Sequence, residues 1–203
     1  MAYNARDLRE IVCDYLFDGR FVRISPAKYS QSPLTYGRTP SRFSGPPTPT
    51  DPTLATFGAL YLAATVKTAT CETLIHTKSR QRVAQISTAL LTSRVLFVYK
   101  RTTQSLKLLD LRQDYPVIAG VTPDVIHQKE HDLAQALSAF VRNHLPELDG
   151  IIYPSWYTGE DCLALYESGV DKIDHDYTIA LTQHEGLYQA LDRYRVRLIE
   201  PAG

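Results

Sequence analysis

The chain is poor in cysteine, tryptophan and methionine (three, one and one), and it carries no net charge. Cys13, Cys71 and Cys162 lie far apart, form no CxxC pair and are odd in number, so no disulfide framework is expected and a reducing compartment is. Lys+Arg and Asp+Glu both total 22. Proteins that track a phosphate backbone carry a basic excess, so no nucleic-acid partner is expected. No run approaches the roughly 20 apolar residues of a membrane-spanning helix. The amino terminus MAYNARDLREIV is charged and amphipathic, without the apolar core of a signal peptide. Together these features predict a soluble cytoplasmic protein with no membrane partner. No GxGxxG or Walker-type loop occurs, and Ser155 does not lie in a GxSxG elbow. His76, His127, His131, His144, His175 and His184 show no metal-ligand spacing. The DKIDHD run around Asp171, Asp174, His175 and Asp176 reads as a solvated loop, so no metal is expected.

What is present is a chain of 203 residues, long enough to bury a core as one domain over residues 1–203. Its aromatic set is Tyr-rich, 13 tyrosines against six phenylalanines, and tyrosine suits edges and clefts because its ring buries while its hydroxyl still bonds. Residues 5–18 place Leu8, Ile11, Val12, Tyr15 and Leu16 at helical spacing, predicting a helix ended by Gly19. Phe21–Ile24 reads as a short strand. Its Arg23 is explained either by an exposed edge position or by a buried partner, because an unpaired buried charge costs several kcal/mol. Residues 26–52 hold seven prolines among Ser, Thr and Gly, a loop long enough to suggest a functional role.

The central stretch runs from Arg42 to His76. Residues 57–63 (FGALYLA) form a short apolar run suited to a covered strand, and Thr65 is placed to cap a following helix. That helix carries Glu72 among small and apolar neighbours. Beyond it, 93–99 and 105–111 predict two strands joined by a polar turn, and 124–143 a long helix with one buried face. Residues 150–155 and 162–166 predict strands, followed by a strand near 177–181, a helix near 185–193 and a strand over 195–199. Many short strands with a few helices, without regular alternation, predict an α+β fold.

The ordered set of an Arg on an early strand, an Arg after a loop, GALYLA, a Glu eleven residues beyond the Tyr, LLDL, DGIIYPS and CLALYE resembles the RES domain family. The resemblance covers about residues 23–166, with a core near 20–170 and terminal additions. It implies an ADP-ribosyltransferase-like core of short strands flanked by helices. It also implies a toxin of a toxin–antitoxin pair that destroys NAD, with no cofactor, and a neutralising antitoxin or immunity protein as partner. An antibacterial effector delivered into a target cell's cytoplasm is a variant of the same reading. Position by position, Arg23 and Arg42 match the family's two arginines, Tyr61 its central Tyr, Glu72 its Glu and Ser155 its Ser. The chain departs from the pattern at Ile24, in PSRFS, in the proline-rich loop 44–56 and at Pro154.

These residue types suit cleavage of NAD at the nicotinamide–ribose bond. Nicotinamide departs as a neutral molecule, so one of the two carboxylates of ordinary glycosidases is dispensable. A carboxylate such as Glu72 can stabilise the oxocarbenium-like ribose. Arg23 and Arg42 offer forked grips for the diphosphate or an incoming inorganic phosphate. Tyr61 is expected to flank the nicotinamide ring, and Ser155 to bond a ribose or the carboxamide. The sequence shows no base beside Ser155, so it is not assigned as a nucleophile. Water, phosphate or a protein side chain all stand open as acceptor, and an inactive nucleotide- or partner-binding relative is the alternative to an enzyme.

Overall fold

The computed structural model describes residues 3–16, 21–75, 84–100 and 104–200. Its framework is an eight-stranded mixed sheet built from β1 (Val12–Leu16), β2 (Phe21–Pro26), β3 (Leu60–Ala63), β5 (Arg94–Lys100), β6 (Ser105–Asp110), β7 (Gly150–Pro154), β8 (Asp161–Leu165) and β9 (Asp174–Ala180). The order is β1-β6-β7-β8-β3-β2-β5-β9, and β6–β7 is the parallel pair. A small parallel pair joins β4 (Gln85–Ser87) to β10 (Arg197–Ile199). The helices are α1 (Ala5–Arg9), α2 (Val66–Thr70), α3 (Thr88–Thr92), α4 (Tyr115–Ile118), α5 (Asp124–His127), α6 (Asp132–His144), α7 (Glu167–Val170) and α8 (Glu185–Arg193). This is the α+β class that the short strands predict.

Alternation along the strands divides the core in two. On β5, Leu96 and Val98 face one cluster, which α1, α2, α6 and α8 cover with Leu8, Val66, Leu137 and Leu187. Val95, Phe97 and Tyr99 face a second cluster against which Leu34 and Tyr36 of the long loop pack. That loop therefore covers one face of the sheet. Gly150 shows how tightly β7 and β8 approach, since a Cβ there would lie 2.3 Å from the Ala164 carbonyl oxygen.

The sheet has one weak joint. β2 meets β3 through the single pair Val22↔Ala63, whereas it pairs with β5 over Phe21↔Tyr99 to Pro26↔Arg94. β3 in turn pairs along its whole length with β8. The halves β1-β6-β7-β8-β3 and β2-β5-β9 thus separate between β2 and β3, whose residues line a cleft.

Several local expectations are corrected. The helix predicted over 5–18 ends at Arg9, and Val12–Leu16 is a strand paired with β6 along its length; Gly19 lies outside the described residues. β2 is an interior strand, so the edge explanation of Arg23 fails. β5 and β6 are not neighbours, so the two strands predicted at 93–99 and 105–111 form no hairpin. The helix predicted over 124–143 is two helices, broken where Gln128 turns extended. The strand predicted near 177–181 starts earlier, at Asp174. Thr65 does cap α2, accepting from the Thr68 amide at 3.1 Å.

Candidate active site

The cleft at the sheet joint encloses about 760 Å³, within the range of small-ligand sites. Val22, Arg23 and Ile24 line it from β2, and Tyr61, Leu62 and Ala63 from β3. Glu72 enters from the segment after α2. There the helix widens into a π-turn over Cys71–Ile75, with Cys71, Leu74 and Ile75 buried, so the turn is anchored and Glu72 projects from it half-exposed. Such π-turns are frequent at functional sites.

Opposite stands Ser155, 3% exposed, in the turn that follows β7. Its hydroxyl donates to Glu72 Oε1 at 2.6 Å and accepts the Tyr157 amide at 3.2 Å. The absence of a base beside Ser155 in the sequence is thus corrected in space: a carboxylate is its direct partner. The hydroxyl in return fixes one oxygen of that carboxylate.

Arg42 is delivered by a loop anchored from three sides. The Tyr61 hydroxyl accepts the Phe43 amide at 2.7 Å and shares a hydrogen bond of 3.0 Å with Ser41 Oγ. From α6, Gln135 donates to the Ser41 carbonyl at 3.0 Å and Ser138 to the Phe43 carbonyl at 2.7 Å. The Phe43 ring, fully buried, packs 4.7 Å from that of Tyr153. Arg42 itself donates to the Gln128 carbonyl at 2.9 Å. That carbonyl is available because the chain leaves helical geometry at Gln128.

Arg23 reaches the cleft from β2, but strand alternation sets it with Phe21 rather than with Val22 and Ile24. Its guanidinium donates to the carbonyls of Thr35 (2.8 Å) and Pro33 (3.4 Å), bracing the covering loop. The structure therefore brings Arg42, Tyr61 and Glu72 to one cleft with Ser155 behind Glu72, while the Arg23 side chain engages the loop carbonyls instead. The Tyr61 hydroxyl is already committed to the loop, so only its ring is left to a ligand.

Sequence reasoning missed several of the lining residues: Ser41, His127, Lys129, Tyr153, Trp156 and Cys162. Burial first, then the Glu72 charge, raises the Cys162 thiol, which excludes it as a ready thiolate. Burial likewise raises the Tyr61 and Tyr153 phenols, so both stay neutral donors and acceptors. Among the described lining residues, Arg42 and Lys129 bring cationic side chains and Glu72 is the acid, while the Arg23 guanidinium is turned to the covering loop. A chain with no net charge thus presents a positive cleft around one carboxylate. Among the described residues no group of three or more His, Cys, Asp or Glu side chains is arranged to hold a metal, and no helix is long and apolar enough to cross a membrane.

An Arg, a Tyr, a Glu and a Ser thus converge where the two halves of the α+β sheet part. The RES domain family model matches residues 20–187, and the chain belongs to that family. A chain of the crystal structure of the M. tuberculosis MbcT–MbcA toxin–antitoxin complex has a similar fold. Its TM-score is 0.60 at 16% identity, covering 91% of this chain and 96% of that one. No curated protein matches the chain significantly.

Proposed function

We propose that this protein is a toxin that cleaves NAD at its nicotinamide–ribose bond, as a glycohydrolase or a phosphorylase. The observation that carries the reading is the Glu72 carboxylate, held by Ser155 at 2.6 Å in a cleft that the cationic Arg42 and Lys129 also line. An anionic diphosphate is drawn to the cations, while one fixed carboxylate meets the positive charge that develops on the ribose. The nicotinamide ring, cationic in NAD, takes the bonding electron pair and leaves neutral while the positive charge passes to the ribose, so no second carboxylic acid is required to protonate it. The presence of one acid among the described lining residues suits that chemistry.

Membership of the RES family and the likeness to a chain of a toxin–antitoxin complex support the toxin role. They also support a neutralising protein partner that keeps the cleft from harming its host. Arg42 serves as the forked phosphate grip, and its one contact to a main-chain carbonyl leaves further N–H groups for a ligand. Tyr61 supports the loop that carries Arg42 and offers its ring to the nicotinamide.

The test is NAD consumption by purified protein with and without inorganic phosphate, with products resolved by mass. Free nicotinamide with ADP-ribose establishes hydrolysis, and a phosphorylated ADP-ribose formed only with phosphate establishes phosphorolysis. Undiminished NAD in both arms rejects the reading in favour of protein ADP-ribosylation or a non-catalytic binding module.

A further inference from the structure

The chain's single tryptophan, Trp156, is 63% exposed although it lines the cleft directly after Ser155. An indole left in water forgoes a large apolar burial, and a position beside a buried Ser makes that exposure more than surface scatter. Trp156 is also held. The His127 ring lies against it with centroids 4.5 Å apart and planes inclined by 54°. His127 comes from the end of α5, and Trp156 from the turn after β7. The pair therefore joins two elements that line the cleft, and the indole stays open to solvent.

We propose that Trp156, supported by His127, is the stacking platform for the adenine base of the dinucleotide. The proposal rests on the NAD reading and adds to it which ring goes where. The bond to be broken must lie at Glu72, so the departing ring belongs near the half-buried Tyr61 and the buried Tyr153 rings. The base retained on the product needs no exclusion of water and can sit on an open aromatic face. Charge agrees with this order, since Arg42 and Lys129 flank His127 along the chain and across the Gln128 carbonyl, where the diphosphate would bridge the two rings. Desolvation against the cleft wall first, and the Arg42 charge second, pull the His127 imidazole below its ordinary range, so it supports the indole as a neutral ring.

Because the chain has one tryptophan, its fluorescence reads this position alone. Titration of the intact protein with AMP is expected to quench it saturably, and nicotinamide at the same concentrations is not. Trp156→Ala removes an exposed ring, so folding is expected to survive, and it should raise the KM for NAD roughly five-fold or more with kcat retained. Trp156→Phe should restore most of the affinity. Quenching by nicotinamide but not by AMP, or an unchanged KM in an active Trp156→Ala protein, overturns the assignment. If the parent leaves NAD intact, the catalytic reading fails by itself, and the AMP titration still decides the subsite: saturable quenching supports it and a flat response rejects it.

Discussion

At the scale of single residues, the site depends on Ser155 and Glu72 acting as a pair. A carboxylate that is free to rotate must be reordered as the ribose charge develops, whereas one fixed by a 2.6 Å hydroxyl is already aimed. Ser155→Ala is expected to lower kcat about ten-fold or more while changing KM little, because the lost bond orients the acid rather than the substrate. Steady-state kinetics on parent and variant separate the two effects, and a change confined to KM would place Ser155 on the substrate instead. The identities of these residues were legible because Arg42, Tyr61, Glu72 and Ser155 occur in a recognisable order. Their bonding was not. The contact between Ser155 and Glu72 spans 83 positions of sequence, and no local pattern encodes it. Nor does net charge disclose the positive cleft, since the compensating carboxylates lie elsewhere on the molecule.

At the scale of elements, the turn that carries Ser155 is tied to the helix that leads to Glu72. The Ser155 amide donates to the Glu160 carbonyl at 2.8 Å, closing the turn. The Glu160 side chain accepts from the hydroxyls of Thr65 and Thr68 at the start of α2 and pairs with Lys67. Partial burial disfavours the charged carboxylate, but Lys67 and the two hydroxyls outweigh it and hold Glu160 below its ordinary range. A carboxyl lowered in the folded state contributes stability above its unfolded value, and that stability is lost as pH falls through the lower folded value. Glu160→Gln should therefore cost about 1–3 kcal/mol at neutral pH. The gap between parent and variant should narrow in acid, as followed by denaturant unfolding at both pH values. A gap that widens in acid would contradict this account of the clamp.

Elements were unevenly legible for physical reasons. Helix α8 and the Thr65 cap follow from local spacing and a local hydroxyl. The segment around Val12–Leu16 does not, because five residues of mixed apolar pattern suit a helix or a strand equally, and pairing with β6 decides between them. The break at Gln128 was hidden within an apolar periodicity that continues on both sides. It is also what frees the carbonyl that holds Arg42.

At the scale of the whole molecule, two halves of a sheet meet through one residue pair, and the proposed substrate would bridge them. A ligand bound across such a joint stabilises the folded chain by mass action. For a Glu72→Gln protein, NAD at a hundred times its Kd should add about 2.7 kcal/mol, a rise in Tm of roughly 5–10 °C. The α+β class was legible from the many short strands, whereas the order of the strands was not. β5 and β6 follow one another in sequence yet sit in different halves, since long-range pairing rather than the intervening turn assigns them.

The central claim is that the Glu72 carboxylate drives cleavage of NAD. Its most direct test is the rate of nicotinamide release by Glu72→Gln beside the parent, with equal folding verified for both. The amide keeps the shape and the Ser155 contact but carries no charge to meet the oxocarbenium-like ribose. The account predicts a fall in kcat of about 10²–10³ with NAD still bound. Equal rates from the two proteins would contradict it.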